Sequence, residues 1–324
     1  MRKNILLVSH QLDFSGAPIA LFYLAKALIQ LDHDVGLASL YGRGDLLADF
    51  NRIGVKYREE KSLDVNDYDI VVFNTVVSTP FIPKIKNKKT KFILWIHESP
   101  FLGGLAWSSA VNMRRTENVD LIIFPTEACK KEWEGLIDTL NSVTLLSPVD
   151  IPDEIKQINF EHKQGIKTFC IMDPRAPYTN IHRIEEEVLN FPDEAIFNFV
   201  GYDMPDPKIV SALRLKRNID SRWHGRVPRI KALEIMAKSD VYISATCLAT
   251  QNRGLCEAIV LNKSVLISGI KAHLEIGRSA GLSSNSYFYP LEKIDFKKEV
   301  GYVDYSKAFL GFNEFFDKVS RLFE

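Results

Sequence analysis

Hydrophobic and polar positions along the chain form two alternating kinds of segment. Short apolar runs of strand length occur at residues 4–9, 35–40, 70–74, 92–96 and 121–124. Longer stretches lie between several of them, and in the stretch 18–31 the apolar residues recur at close to helical spacing. Pro18 suits the first turn of that helix, because the N–H that proline lacks has no helical partner there. Buried strands that alternate with helices are typical of βαβ units, so the pattern predicts an α/β fold with parallel sheets.

The same pattern runs through the chain twice. It restarts with the apolar runs 167–172, 196–200, 241–244 and 265–268. Between the halves, residues 147–165 are rich in Pro, Asp, Lys and Gln and lack periodicity, which favours a linker. A chain of 324 residues is also long for one hydrophobic core. We therefore predict a first domain over 1–150, a linker over 151–165, a second domain over 166–305 and a final amphipathic helix within 306–324.

Charge and cysteine content limit the kinds of function that this chain can have. Lys plus Arg and Asp plus Glu each number 41, so the net charge is zero. Nucleic acid is therefore not expected as the main partner, since phosphate binding needs a basic surplus. The four cysteines are scattered and form no CxxC pair, so the sequence predicts neither a zinc site nor a disulfide framework. Without a secretory segment or a run of about 18 apolar residues, we expect a cytoplasmic protein.

Two loops in the first half carry candidate chemistry. Ser15, Gly16 and Ala17 follow the first strand, where small residues let a ligand approach and the next helix offers N–H groups to an anion. His97 follows the run 92–96, at the end of a strand where an α/β domain holds its ligands. Each has a plainer interpretation: an ordinary βα turn for the glycine loop, and a histidine bonded to backbone for His97.

Two further candidates lie in the second half. Arg175 follows the first strand of that half and supplies a fixed cation with bidentate donors for phosphate. Glu257 follows a polar loop and enters an apolar helical run, where its carboxylate can accept two ribose hydroxyls. A surface ion pair would explain Arg175 equally well. A carboxylate in the first turn of a helix, stabilised by the helix dipole, would explain Glu257.

Several segments, in this order and spacing, resemble the GT-B glycosyltransferases of family 4. In the first half they are SGAPIALFYLAKALIQLDHDVGLASL, FILWIHESP and DLIIFPTEACKKEW. In the second half they are HGRVPRIKALEIMAKSDVYISAT and GLCEAIVLNKSVLIS. The resemblance covers nearly the whole chain. It implies two Rossmann-like domains with parallel sheets facing across a cleft, and a last helix that packs back towards the N-terminal domain.

The resemblance also implies roles in the first half. Ser15, Gly16 and Ala17 would border the diphosphate and the transferred sugar. His97 would contact a hydroxyl of that sugar near the reaction centre. In the second half Arg175 would bind the diphosphate, so His97 and Arg175 are the expected catalytic residues.

The remaining implied roles concern donor binding. Gly225, Arg226 and Val227 would lie beside the nucleobase, and Glu257 would hold the ribose. The loop before Glu257 would complete the donor site. Its candidate residues are Asn252, Arg253 and Gly254.

The sequence departs from the family pattern at three places. Ala249 stands where the family usually has a Glu eight residues before the ribose-binding one. Asn252 stands where a Gly is common, with Gly254 two residues further on. Asn180 replaces the Lys that usually follows the phosphate-binding Arg about five residues later. Arg183 is near and could substitute, and Arg253 is our candidate for the replacement cation. Three functions therefore stay open: an active glycosyltransferase, a catalytically silent glycosyltransferase-like subunit that binds nucleotide or glycan, and a different GT-B enzyme such as an epimerase or phosphorylase.

The implied reaction moves a sugar, as in polysaccharide biosynthesis, from a UDP- or GDP-type nucleotide diphosphate to a hydroxyl of a glycan, glycolipid or related acceptor. By resemblance it is a hexosyltransferase reaction that retains the anomeric configuration. No Asp-x-Asp segment of the chain is an obvious metal motif, so we expect neither metal nor cofactor. Fixed cations and helix N-termini would stabilise the leaving diphosphate instead.

Basic and apolar segments raise a membrane contact as one interpretation of the acceptor side. The lysines cluster before a strand, at Lys84, Lys86, Lys88, Lys89 and Lys91. The segment 101–107, FLGGLAW, is followed by Arg114 and Arg115. Such features suit an anionic membrane and a lipid-linked acceptor. A solvated lysine loop and a core-facing helix explain them as well. The sequence does not predict an oligomeric state.

Overall fold

The computed structural model describes residues 1–59, 63–84, 89–102, 112–158, 165–172, 177–201, 206–288, 294 and 312–323. The chain divides into two compact units. The first contains Met1–Pro148 and the last helix, and the second is formed by the described part of Val149–Phe309. The predicted α/β fold class, with parallel strands in both halves, is confirmed.

The first unit is built on a sheet of seven parallel strands. These are β1 (Asn4–Ser9), β2 (Asp34–Ser39), β3 (Lys56–Tyr57), β4 (Ile70–Asn74), β5 (Lys91–Trp95), β6 (Leu121–Phe124) and β7 (Ser142–Thr144). Their order in the sheet is β3-β2-β1-β4-β5-β6-β7. Within the described part of residues 1–148, the α-helices are α1 (Gly16–Gln30), α2 (Leu47–Arg52) and α3 (Glu127–Trp133).

Apolar side chains cover both faces of this sheet. One core contains α1 residues such as Leu24 and Leu28 together with strand residues such as Leu7. The other core contains Phe73 and Trp133. Strands buried on both faces read as continuous apolar runs, which is why the sequence located most of them.

The last described helix of the chain belongs to the first unit. It spans Phe312–Phe323, and its residues Phe315, Val319 and Phe323 are buried in the same core as α1. Lys3 Nζ also donates to the carbonyl of Phe323 at 2.6 Å. The helix therefore buries an apolar stripe with a spacing of four residues against the N-terminal part of the chain.

The second unit repeats the architecture with six parallel strands. These are β8 (Lys167–Ile171), β9 (Ala195–Val200), β10 (Ile219–Gly225), β11 (Val241–Ser244), β12 (Ser264–Ser268) and β13 (Tyr287–Phe288), in the order β10-β9-β8-β11-β12-β13. Its helices are α4 (Asp153–Lys156), α5 (Ile181–Leu189), α6 (Pro207–Leu215), α7 (Arg229–Ala237), α8 (Arg253–Val260) and α9 (Lys271–Ser279). The last helix, Phe312–Phe323, is accordingly α10.

The segment between the halves differs from the predicted linker. The units divide after Pro148, and α4 lies inside the segment that the composition marked as a connector. Ile151 and Ile155 are buried, so these two side chains anchor the segment to the second unit. One helical turn with two buried residues is too short to produce a periodic signal. Residues 159–164 of the predicted linker and 306–311 of the predicted last helix lie outside the described residues.

Each sheet has one point at which the strand order reverses. In the first unit it lies between β1 and β4, and in the second between β8 and β11. Ligands of doubly wound sheets bind beyond the carboxyl ends of the strands at such a point. In the part of the chain that the structure describes, no helix is both long enough and apolar enough to cross a bilayer.

Candidate functional site

Asn74 joins two of the predicted site segments at the switch point of the first unit. It is the last residue of β4 and is fully buried. Its Oδ1 lies 2.9 Å from His97 Nε2, and its Nδ2 donates to the carbonyl of Ala17 at 3.1 Å. The structure therefore brings His97 and the glycine loop together through one amide.

The Asn74 amide also fixes the state of the His97 ring. Because Nδ2 donates to Ala17, the atom that faces the ring is the acceptor Oδ1, and the network therefore assigns the proton to Nε2. Burial, with a smaller contribution from the nearby His10, lowers the pKa of His97 to about 3. The ring is neutral at physiological pH and presents Nδ1 as its acceptor, which suits contact with a sugar hydroxyl rather than with a phosphate.

Glu98 ties together the loops that follow β4 and β5. Its Oε2 accepts from the backbone N–H of His97 at 3.1 Å and from that of Val76 at 3.2 Å. Burial raises the pKa of Glu98 to about 7, and it outweighs the opposing effect of these hydrogen bonds. The carbonyl of the same residue accepts from Trp133 Nε1 at 2.8 Å, which anchors the loop to the core.

Thr75 is held in a strained backbone conformation beside these groups. Its φ is +81°, a region that β-branched residues rarely adopt. Its N–H donates to the carbonyl of Trp95 at 2.8 Å. Its hydroxyl lies 3.4 Å from His10 Nδ1 and hydrogen-bonds to the Glu98 carboxyl. Strain of this kind persists where the surroundings enforce it, which is common at functional sites.

The glycine loop forms the N-terminus of α1. Asp13 Oδ1 accepts from the backbone N–H of Ser15 at 3.1 Å and also from the Ser15 hydroxyl, so Asp13 shapes the turn before the helix. Gly16 is the first helical residue, and a Cβ placed there would meet nothing within 4 Å. The fold does not require a glycine at this position. Open space beside helix N–H groups is what a ligand would fill.

In the second unit, Glu257 is held by two arginines. Its Oε1 accepts from Arg229 Nη2 at 2.9 Å and from Arg253 Nε at 3.1 Å. Arg229 Nη2 donates as well to the carbonyl of Asp150 at 3.0 Å. The Glu257 side chain is only 6% exposed, so these cations offset the cost of burying its charge.

The position of Glu257 in its helix corrects one interpretation of the sequence. The helix α8 begins at Arg253, and its first turn contains no acidic residue. Glu257 lies in the second turn, so stabilisation by the helix N-terminus does not explain it. Every Glu257 hydrogen bond within the described part of the chain reaches Oε1, which leaves Oε2 for a ligand.

Asn252 is a helix cap rather than an open donor group. Its Oδ1 accepts from the N–H of Leu255 at 3.0 Å and from the Tyr242 hydroxyl at 3.3 Å. Its Nδ2 donates to Ser244 Oγ and to His273 Nε2, each at 3.1 Å. All four hydrogen-bonding positions of the amide are thus used inside the protein, and the Asn252 carbonyl accepts from the N–H of Cys256 at 3.1 Å.

The other two residues of the predicted donor loop also have structural partners. A Cβ at Gly254 would lie 2.6 Å from the Tyr242 hydroxyl, so this glycine makes room for a buried ring. Arg253 bonds to Glu257 through Nε, so its charge is shared with that carboxylate. The hypothesis that Arg253 serves as the replacement cation is weakened by this ion pair.

The predicted nucleobase segment follows β10. Gly225 ends the strand with φ +63° and accepts a hydrogen bond from the N–H of Gly201. The next residue, Arg226, is exposed, and Val227 is partly buried. His224 Nε2 lies 2.9 Å from Asn198 Oδ1, so the second unit contains its own histidine–asparagine pair at the end of neighbouring strands.

Several predicted features fall wholly or partly outside the described residues. Arg175 lies there, as do residues 85–88 and 103–111 of the basic and apolar segments. Among the described parts, Phe101 is 68% exposed and Arg114 is exposed. Arg115 Nη1 donates to the carbonyl of Ile82 at 3.0 Å, which gives this arginine a structural role.

Sequence reasoning missed four residues of the first unit's site: His10, Asn74, Thr75 and Glu98. A signal was available for two of them. Asn74 and Thr75 are polar residues at the end of an otherwise apolar strand, where a doubly wound sheet places its ligands. Within the described ranges, no group of three or more His, Cys, Asp and Glu side chains is arranged to hold a metal ion.

Known proteins resemble this chain in sequence over its first 145 residues and in fold over its whole length. Residues 1–145 match the family described as Glycosyl-transferase family 4. The match covers the whole glycine loop, Asn74 and His97. A search among curated protein sequences found no match.

Solved structures match the whole chain in fold. HepE of Anabaena, solved with UDP-glucose, superposes with a TM-score of 0.73 over 99% of both chains at 13% identity. A glycosyltransferase from Rickettsia africae gives 0.69 at 14% identity over 100% of this chain and 98% of its own. Sucrose-phosphate synthase from Thermosynechococcus elongatus gives a TM-score of 0.63 at 12% identity, over 100% of this chain and 95% of its own. The fold they share with this chain is GT-B.

Proposed function

We propose that this chain, which has the GT-B fold and a glycosyl-transferase family 4 match over residues 1–145, transfers a sugar from a nucleotide diphosphate to an acceptor hydroxyl. One observation carries the proposal. Asn74 hydrogen-bonds to His97 and to Ala17, so a neutral histidine and the N-terminus of α1 meet at the switch point of the domain that matches the family. This is the position at which a doubly wound sheet binds its ligand.

The two units have different tasks. In the first unit, the neutral His97 ring contacts a hydroxyl of the transferred sugar, and the N–H groups of Gly16 and Ala17 face its phosphate. In the second unit, Glu257 binds ribose hydroxyls through Oε2 while Arg229 and Arg253 hold Oε1. Gly225 and its two successors flank the base, and Arg175 binds the diphosphate.

The chemistry needs charge stabilisation more than proton transfer. The bond between the anomeric carbon and the diphosphate oxygen breaks, so negative charge develops on the leaving group. We assign the stabilisation of that charge to the helix N–H groups and to Arg175, whose guanidinium supplies bidentate donors for phosphate. The acceptor oxygen attacks from the face that the leaving group vacates, its proton passes to the diphosphate, and the configuration is retained. Neither a metal nor another cofactor takes part.

The donor class is proposed as a UDP- or GDP-hexose. HepE, one of the structures similar to this chain, was solved with UDP-glucose. Binding to the folded state raises thermal stability by mass action. A thermal-shift panel of UDP, GDP and their common sugar conjugates is therefore the first experiment. We expect one base to stabilise the chain both as the free diphosphate and as the sugar conjugate.

Turnover with the selected donor then tests the reaction. Acceptors should include free glycans and lipid-linked glycans, and NMR of the product reports whether the anomeric configuration is retained. His97→Ala should lower kcat at least about 100-fold while the nucleotide Kd stays near the wild-type value. Glu234→Gln, which alters a partly exposed glutamate paired with Lys231, is the control in the donor-binding unit.

A silent subunit is the second candidate, and Ala249 motivates it because the family usually has a sugar-binding Glu there. It predicts a different outcome. Wild-type protein would bind the nucleotide sugar tightly yet consume none with any acceptor, and His97→Ala would then leave every measured property unchanged.

A further inference from the structure

Glu98 makes a connection in the site that the proposed chemistry does not use. One carboxylate oxygen, Oε2, accepts from the N–H of Val76 and from the N–H of His97. Val76 lies two residues after Asn74, and His97 is the residue whose ring Asn74 binds. The backbone hydrogen bonds and the side-chain hydrogen bond therefore join the same two loops.

The two loops have few other means of keeping this geometry. The ladder between β4 and β5 ends with the pair Asn74 and Trp95, so His97 lies beyond the last paired residue. Thr75 continues the pairing by one hydrogen bond to Trp95, at the cost of a φ of +81°. Its hydroxyl also supports the Glu98 carboxyl. Beyond the last strand pair, the strained Thr75 and the shared acceptor Glu98 therefore hold the two loops together.

We propose that Glu98 is a positioning residue: its carboxylate, supported by Thr75, holds the His97 backbone so that the His97 ring stays on Asn74 and faces the sugar. This inference rests on the proposed function, because it assigns the role of Glu98 within that site. Glu98 itself does not contact substrate. Its partners are the N–H groups of Val76, His97 and Glu98 itself and the Thr75 hydroxyl, which gives it no part in breaking or forming the glycosidic bond.

Two substitutions separate positioning from charge. In Glu98→Gln the side-chain carbonyl still accepts from both N–H groups, and the new amide N–H can donate to the Thr75 hydroxyl. Glu98→Ala leaves both N–H groups without their acceptor. We expect kcat of Glu98→Gln to stay within about twofold of wild type and that of Glu98→Ala to fall about 10- to 100-fold, since small misplacements of a site residue cost that much. The nucleotide Kd should change in neither variant.

A spectroscopic measurement tests the positioning role of Glu98 without relying on turnover. In the wild type, the ring ¹⁵N signals of His97 should show one fixed tautomer with Nε2 protonated. Glu98→Ala should replace that signature by averaged signals, whereas Glu98→Gln should keep it. His224 is the internal control, because its ring binds Asn198 with the same 2.9 Å geometry in the other unit and should be unaffected.

A pH titration of unmodified protein covers the case in which Glu98→Ala does not fold. Burial places the pKa of Glu98 at about 7, so the amide N–H signals of His97 and Val76 should shift together near that pH. Among the described residues, the other titratable groups nearby are His97 itself, His10, which touches Thr75, and Cys129, which contacts the Glu98 carbonyl. The shared titration should disappear in Glu98→Gln and persist in His10→Gln.

The outcomes are distinct. A His97 ring that keeps its tautomer in Glu98→Ala overturns the positioning role, and so does a kcat of Glu98→Gln as low as that of Glu98→Ala. If the His97 signals respond as expected but wild-type protein transfers no sugar, the positioning role stands and the proposed function fails.

Discussion

Asn74 and His97 form a hydrogen bond of 2.9 Å between residues that stand 23 positions apart in the chain. The bond exists because β4 and β5 pair in parallel with Asn74 opposite Trp95, which brings His97, two residues after the end of β5, alongside the end of β4. Since the same amide reaches Ala17, one side chain organises the polar groups contributed by three segments. Asn74 is therefore as important to the proposed site as the histidine that it holds.

Substitution of Asn74 should impair turnover without weakening nucleotide binding. Asn74→Ala removes both hydrogen bonds, so the His97 ring can rotate and loses its fixed tautomer. We expect kcat to fall by about 10- to 100-fold. Asn198→Ala is the matched control, because it releases His224 beside the predicted nucleobase segment and should raise the nucleotide Kd instead. Equal loss of both properties in both variants would show that neither asparagine has a separate role.

Two glycines of the predicted site should respond in opposite ways to alanine. At Gly16 a Cβ meets nothing within 4 Å, so Gly16→Ala should leave stability unchanged or raise it by less than about 1 kcal/mol, the helix preference for alanine. At Gly254 the Cβ would lie 2.6 Å from the Tyr242 hydroxyl, and overpacking should cost about 1–3 kcal/mol.

Denaturation and donor turnover together separate the two cases. Gly16→Ala should fold normally yet use the donor poorly, because its methyl group occupies the space that the phosphate needs. In Gly254→Ala the loss of stability should be the main effect. Normal donor use in Gly16→Ala would remove the glycine loop from the proposed site.

Glu257 should contribute to binding and to stability, and two substitutions distinguish these contributions. Glu257→Gln keeps an acceptor for the arginines but lacks the charge, so nucleotide affinity should fall by about 1.5–3 kcal/mol. Glu257→Ala should in addition lower the free energy of unfolding by about 2 kcal/mol. That value lies below the roughly 3–5 kcal/mol of a fully buried pair, because the Arg229 side chain is 25% exposed.

Calorimetry with the free nucleotide diphosphate checks the affinity, and urea denaturation checks the stability. Glu234→Gln on α7 is the control for both. An unchanged affinity in a folded Glu257→Gln variant would leave Glu257 as a structural anion for two arginines.

Much of this arrangement follows from sequence, and the remainder does not for identifiable reasons. The loop at Gly16 and the position of His97 follow from local patterns, since each lies in the segment that follows a buried strand. Asn74 does not, because its partner depends on strand register, which no local pattern contains. The start of α8 was misplaced because Asn252, a preferred N-cap residue, was interpreted as part of a ligand loop.

Short strands and helices are the other features that the sequence does not predict. The edge strands Lys56–Tyr57 and Tyr287–Phe288 contain two residues each, too few for any periodicity to show. The helix Asp153–Lys156 has the composition of a linker, and only its burial distinguishes it from one. Elements of this size are held by their neighbours rather than by their own propensity.

A chelator should leave the rate of sugar transfer unchanged. In the proposed reaction the charge of the leaving diphosphate is met by Arg175 and by helix N–H groups, so no metal ion is required. The rate should be equal with excess EDTA and with added Mg²⁺ or Mn²⁺. Arg175→Lys keeps the charge but loses the bidentate fork, and it should lower kcat. A rate that EDTA abolishes and Mg²⁺ restores would refute the electrostatic mechanism.

Acid should destabilise the second unit through His273. This ring is buried, with Nδ1 donating to the Ser268 carbonyl at 2.9 Å and Nε2 accepting from Asn252. Burial lowers the pKa of His273 to about 4, against 6.5 when unfolded. Between these values the unfolded chain binds the proton and the folded chain does not. Stability from this group is therefore complete above pH 6.5 and falls by about 1.4 kcal/mol per pH unit towards pH 4.

The slope of stability with pH must be compared between variants, because other groups contribute to it. His97, with its pKa lowered to about 3, acts in the same direction as His273. Glu98, with its pKa raised to about 7, acts in the opposite direction, since it keeps a proton that the unfolded chain releases above about pH 4.5. Urea denaturation at pH 7.5 and 5.5 should show a smaller loss of stability on acidification in His273→Phe than in wild type. The matched substitution His182→Phe, at an exposed position on α5, should keep the wild-type difference. A His273→Phe variant that loses as much stability as wild type between these pH values would show that the buried ring is not the acid-sensitive group.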